Sequence, residues 1–135
     1  MSLIKLRKLL TTLNNEKGAS AVEFALILPI LMLLILGIIQ FGFIFFHYIS
    51  ITHAAREGAR WAALGEDNAS VRAKVKNSAP GLVLNDSDIS INPVGESVTV
   101  RVQYGSPIIA PFIGDVMGVS GTDIELSNAA TQRIE

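Results

Sequence analysis

The chain has 135 residues, no cysteine and a formal charge of −1, and half of its residues are hydrophobic. That length allows one small domain. The missing cysteine excludes disulfides, thiolate metal sites and cysteine nucleophiles, and the absence of a clustered basic face excludes a nucleic-acid partner. Charge is placed unevenly: residues 1–18 carry four Lys/Arg against one Glu, a net +3, and the remainder carries seven Lys/Arg against eleven Asp/Glu, a net −4.

Residues 1–18 read as a short polar leader with one apolar patch, Leu9, Leu10 and Leu13, closed by Asn14, Asn15, Glu16, Lys17 and Gly18. From Ala19 to Phe46 large apolar side chains follow one another, with Ser20, Glu23 and Gln40 as the polar interruptions. A helix rising about 1.5 Å per residue needs roughly 20 apolar residues to cross a hydrocarbon core. The run exceeds that, so a membrane span is expected over about 24–46. A secretory signal has a short apolar region followed by small residues at its cleavage site. Here Gly18, Ala19, Ser20 and Ala21 precede the apolar run, which inverts that order. The basic leader predicts an N-terminus on the cytoplasmic side and an acidic C-terminal part outside.

The helix is expected to continue beyond the span as an amphipathic extension over 47–64. His53, Arg56, Glu57 and Arg60 recur on one face, and Gly65 is the expected stop. Ala54, Gly58 and Ala62, and Ala55, Ala59 and Ala63, recur every four residues and allow close backbone approach, with packing onto the chain's own sheet as the expected use. Trp61 reads as a core anchor and Tyr48 as an interfacial aromatic. Asp67 or Asn68 can cap a second helix over about 69–78 that presents Val71 and Val75 on one face and ends at Pro80-Gly81. Three strands follow: one around Ile89 and Ile91, one over 97–104 with Val98, Val100, Val102 and Tyr104 on one face, and one over 123–131 with Ile124, Leu126 and Ala130 inward. Asn92-Pro93-Val94-Gly95 reads as the first hairpin loop. Gly105–Gly121, apolar but broken by Pro107, Pro111 and glycines, reads as a loop, either core or partner surface. The fold expected is α+β: a long N-terminal helix, a short helix and a three-stranded, antiparallel sheet over 65–135.

Glu23 is a carboxylate inside an apolar helix, where insertion at the bilayer centre costs about 2.5–3.5 kcal/mol. It is either a functional acid or an interfacial one that reaches the cytoplasmic edge. Pro29 removes the hydrogen bond to the Ala25 carbonyl. It is either a flexing point or a proline of the kind that membrane helices tolerate.

Gly18-Ala19-Ser20-Ala21-Val22-Glu23-Phe24 resembles the type IV prepilin cleavage site of the Flp (tight adherence) class. There a prepilin peptidase cuts after Gly, and Glu is the fifth residue of the new chain. Phe24 departs from the Tyr usual after that Glu. The stretch 18–29, followed by Ala54-Ala55-Arg56-Glu57-Gly58-Ala59-Arg60, resembles the TadE-like pseudopilins, and the resemblance spans about 17–64. It implies processing at Gly18 and Ala19, and assembly roles for Glu23, Phe24 and Pro29. Glu23 would pair with the new amine of Ala19, on its own or a neighbouring subunit. The implied partners are a prepilin peptidase, other pilins or pseudopilins, an inner-membrane assembly platform and the lipid bilayer.

The expectation is therefore a non-enzymatic minor pseudopilin of a Tad/Flp-type pilus system, without cofactor, in the cytoplasmic membrane with its C-terminal domain outside and able to enter a surface pilus. The competing readings are a major filament subunit, an uncleaved signal-anchored binding domain and a tethered enzyme. No phosphate loop or nucleophile elbow is present, and His47 and His53 lack a second ligand at metal spacing.

Overall fold

The computed structural model describes residues 16–109, 118 and 121–134. Its fold is α+β: a long apolar helix, a short helix and a three-stranded antiparallel sheet. The first helix, α1, runs Glu16–Ala63 without a break at Pro29. The chain divides into two compact units, Met1–Ile38 and Ile39–Glu135.

In the first unit, the described residues are helical. From Gly18 to Ile35 every side chain is exposed, as expected of an apolar helix that no other described residue covers. Residues 1–15 of the expected leader lie outside the described residues.

The second unit begins with the remainder of α1. The helix stops where the sequence requires it: Gly65 takes φ +82°, its N–H reaches the Ala62 carbonyl and the Glu66 N–H reaches the Trp61 carbonyl. Those two bonds make a Schellman cap, which needs a left-handed residue at this position. Asp67 then caps α2 (Asn68–Asn77), with its carboxylate accepting from the Ala69 and Ser70 N–H groups. Val71 and Val75 of α2 are buried, as their spacing predicts.

The sheet is a meander of β1 (Ile89–Val94), β2 (Ser97–Pro107) and β3 (Asp123–Arg133), in the order β1-β2-β3. Two sequence expectations need correction. Asn92, Pro93 and Val94 are strand rather than loop. Val94 pairs with Ser97, so the turn is only Gly95-Glu96, with Gly95 at φ +60° as the first central residue of a II′ turn requires. Pro93 is tolerated because β1 is an edge strand.

The second correction concerns 105–121. β2 continues through Gly105, Ser106 and Pro107, opposite Glu125, Ile124 and Asp123. The Ile108 N–H donates to the Thr122 carbonyl at 2.8 Å. Even-numbered residues of β2 therefore present their backbone to β3 and odd-numbered ones face the other way. Pro107 thus lacks an N–H on the side where no strand needs it. Residues 110–117, 119 and 120, and with them Phe112, Ile113 and Met117, lie outside the described residues.

One core joins the three elements. Ile51, Ala54, Ala55 and Ala59 of α1, Val71 and Val75 of α2, and Ile89, Val100 and Val102 of the sheet are all buried together. The small residues allow the approach. At Gly58 an added Cβ would collide with Val75 Cγ2 and stand 3.1 Å from Val100 Cγ1. The opposite face of α1 carries the exposed His53, Arg56 and Arg60. Trp61 sits beside this core rather than in it. It is half-buried, its Nε1 donates to Glu57 Oε1 at 2.8 Å, and Lys74 Nζ lies 4.3 Å from the ring centre. A ring that keeps its polar edge near water covers the core without filling it.

Candidate functional site

The residues singled out from the sequence all fall on the exposed helix of the first unit. Gly18, Ala19, Glu23, Phe24 and Pro29 lie within α1, each exposed, with Phe24 58 % accessible. Nothing lies within 4 Å of where a Cβ on Gly18 would stand. The Gly18–Ala19 peptide falls in the first turn of the helix, whose N–H groups lack intrahelical acceptors and which opens at least cost. Glu23 stands one turn beyond Ala19. These residues are gathered by one helix and not by tertiary contact, so the site is a linear one.

A second polar group, invisible as such in the sequence, lies in the sheet unit. Gln40 is 1 % exposed. Its Nε2 donates to the Pro107 carbonyl at 3.2 Å, and its Oε1 accepts from the Ile109 N–H at 2.8 Å. β1 pairs with β2 only as far as Val102, opposite Ile89, so among the described residues no strand neighbours the outward backbone groups of 107 and 109. One side-chain amide supplies both missing partners, as a peptide group of an adjacent strand would. Two turns further along the same helical face, His47 Nδ1 lies 2.8 Å from Ser106 Oγ, with both residues buried. Tyr104 meets the imidazole edge-on at 5.1 Å, and Phe46 does so at 5.6 Å. Burial among these rings pushes the His47 pKa below its ordinary value, because a charged imidazole would lose its hydration there.

In the sequence Gln40 reads only as a polar interruption of the apolar run; its i, i+7 spacing with His47, continued by Ala54, is the signal that could have found this face, though not what covers it. A surface depression elsewhere on the sheet unit is lined by Asp88, Asp123 and Glu125 with Tyr104 and Gln103. Among the described residues these carboxylates form no group that could hold a metal ion.

The family model for TadE-like protein matches residues 18–60. The matched segment holds Gly18, Ala19, Glu23, Phe24 and Pro29, as well as Gln40 and His47, and ends within the Ala/Gly-rich part of α1. No curated protein and no solved structure matches the chain. Residues 18–60 are thus a TadE-like segment, and α1 is long and apolar enough to cross a membrane.

Proposed function

We propose, on the premise of this TadE-like segment, that the protein is a minor pseudopilin of a Tad/Flp-type pilus system. A prepilin peptidase would remove residues 1–18, leaving a helix over 19–64 that spans the membrane in its first half and a domain over 65–135 outside. The observation that carries this reading is the fully exposed apolar run of α1 beginning at the small residues Gly18 and Ala19. Among the described residues, nothing in the chain covers that surface, and lipid or neighbouring pilin helices are the partners that would. Once cleaved, Ala19 would present its amine at the membrane edge one turn from Glu23, and the pair would offset the cost of a carboxylate there. Pairing between subunits would also set the stagger of adjacent helices. Partners would include the peptidase, other pilins and the inner-membrane assembly platform, with a role in pilus assembly and adherence.

The test is the intact mass and N-terminal sequence of the protein recovered from membranes, with and without its cognate prepilin peptidase. A peptidase-dependent terminus at Ala19, lost in Gly18→Leu, is expected. An uncleaved chain in both strains would overturn the pilin reading in favour of a signal-anchored binding domain. Abundance in sheared filaments would mark a major subunit instead of a minor one.

A further inference from the structure

The two edges of the sheet are not equivalent. β1 offers six residues, and Val94 pairs with Ser97 across the hairpin turn, so its even-numbered residues bond to β2 and Ile89, Ile91 and Pro93 point their backbone groups outward. Pro93 has no N–H to present there, which blunts that edge against a further strand. β3 runs for eleven residues without a proline or a lysine. Its even-numbered residues bond to β2, in phase with the Ile108–Thr122 bond, so Glu125, Ser127, Ala129 and Thr131 point their N–H and C=O groups away from the sheet. Among the described residues no strand and no side chain takes up those groups.

Beside this edge α1 supplies a floor. Asn128 Nδ2 donates to Thr52 Oγ1 at 2.6 Å, and Tyr48, Thr52 and Arg56 line one open groove with residues 128–132. Those three helical residues stand one turn apart and cover about 12 Å, and four steps along a strand cover about 13 Å. Side chains at every second position of an added strand therefore fall in step with them. His47 lies at Ser106 and Gly58 at Val100, so this part of α1 runs against β2 and along β3. A strand laid antiparallel on β3 meets Arg56 first, Thr52 two residues later and Tyr48 four residues later. Arg56 is exposed and forms no ion pair among the described residues. An acidic side chain above it would supply one, and an apolar side chain would cover the ring of Tyr48. β3 of a second copy does not fit this pattern. On the α1 side it carries Ile124, Leu126, Asn128 and Ala130, with Asp123 and Glu125 on the opposite face.

We propose that the free edge of β3 is a docking site for an extended segment of another protein. The segment adds to the sheet as an antiparallel fourth strand, bonded to the outward backbone groups of Glu125, Ser127, Ala129 and Thr131. It places a carboxylate on Arg56 and, four residues later, an apolar side chain on Tyr48. The backbone ladder supplies attachment, and the acid four residues ahead of the apolar side chain supplies selectivity and direction.

The test is photo-crosslinking of the full chain in the cells that make it, with benzoylphenylalanine in place of Gln132 beside the groove or of Asn92 on β1. Both positions are exposed. The expected result is an adduct from position 132 and none from position 92. Mass spectrometry should place that adduct in a segment of a different protein with an acidic residue four positions before an apolar one. Arg56→Glu, at an exposed position outside the core, should abolish the adduct. Ala129→Pro should abolish it too, by removing an outward donor as Pro93 does on β1. Arg56→Glu carries the test alone if Ala129→Pro lowers the Tm. An adduct that persists in a stably folded Ala129→Pro chain would overturn the strand pairing, and one that persists in Arg56→Glu would overturn the acidic contact. An adduct with a second copy of this chain, equal capture at position 92, or no adduct at position 132 would overturn the docking edge.

Discussion

Gly58 of α1 faces Val100 of β2 with room for a hydrogen and nothing larger: a Cβ would stand 3.1 Å from Val100 Cγ1 and run into Val75 of α2. Three elements meet at this one point. Both valines are fully buried, so neither can move aside into solvent. Gly58→Val should therefore overpack the core and cost about 1–3 kcal/mol. For a domain of this size that corresponds to a fall in Tm of about 4–8 °C per kcal/mol, read by thermal unfolding in detergent micelles. An unchanged Tm would mean that α2 is not held against α1 as described.

Gln40→Leu keeps the side-chain bulk and removes both hydrogen bonds. It should leave the part-buried Pro107 carbonyl and Ile109 N–H without their partner, at the net worth of about 0.5–1.5 kcal/mol for each hydrogen bond lost. Amide hydrogen exchange would report this locally, with faster exchange at Ile109 and little change at Val100 in the centre of the sheet.

His47 should make stability depend on pH. Its folded pKa lies below the ordinary value because the buried ring is held neutral. The neutral form's contribution is fully present above the ordinary value of about 6.5 and is lost as pH falls through the lowered folded value. Wild-type Tm should drop between neutral and mildly acidic pH, and the drop should shrink in His47→Gln. The other histidine, His53, is exposed and lies outside this cluster. Equal acid sensitivity in both proteins would exclude His47 as its source.

Glu23→Gln tests the assembly proposal. The amide cannot form an ion pair with the Ala19 amine, so incorporation into filaments should fall while cleavage after Gly18 continues. Quantitative immunoblots of sheared filaments against membrane fractions give the ratio. Incorporation equal to wild type would exclude the pairing role.

Local chemistry was enough to place most of the elements. Gly65 ends α1 because only a residue tolerant of φ +82° completes that cap, and Asp67 starts α2 because its carboxylate reaches two N–H groups nearby in sequence. The alternation of Val98, Val100 and Val102 set the inward face of β2, which burial bears out. Where two local signals competed, the reading failed. Pro93 and Gly95 both suggest a loop, yet Pro93 sits in an edge strand that has no use for its missing donor. The same logic carries β2 through Gly105 and Pro107, because a proline breaks a strand only where a neighbour needs its N–H.

The sequence by itself determined the linear features: a basic N-terminal stretch, small residues before an apolar run, a carboxylate at Glu23, and a helix whose later half is rich in alanine and glycine. These depend on residue type and spacing along one helix, so no distant contact is needed to read them. The pairing of Gln40 with Pro107 and Ile109, and of His47 with Ser106, was decided by tertiary structure alone. Those partners lie 59 to 69 residues apart. A glutamine in an apolar run is a cost until a strand end arrives to receive its amide, and only the folded sheet brings one.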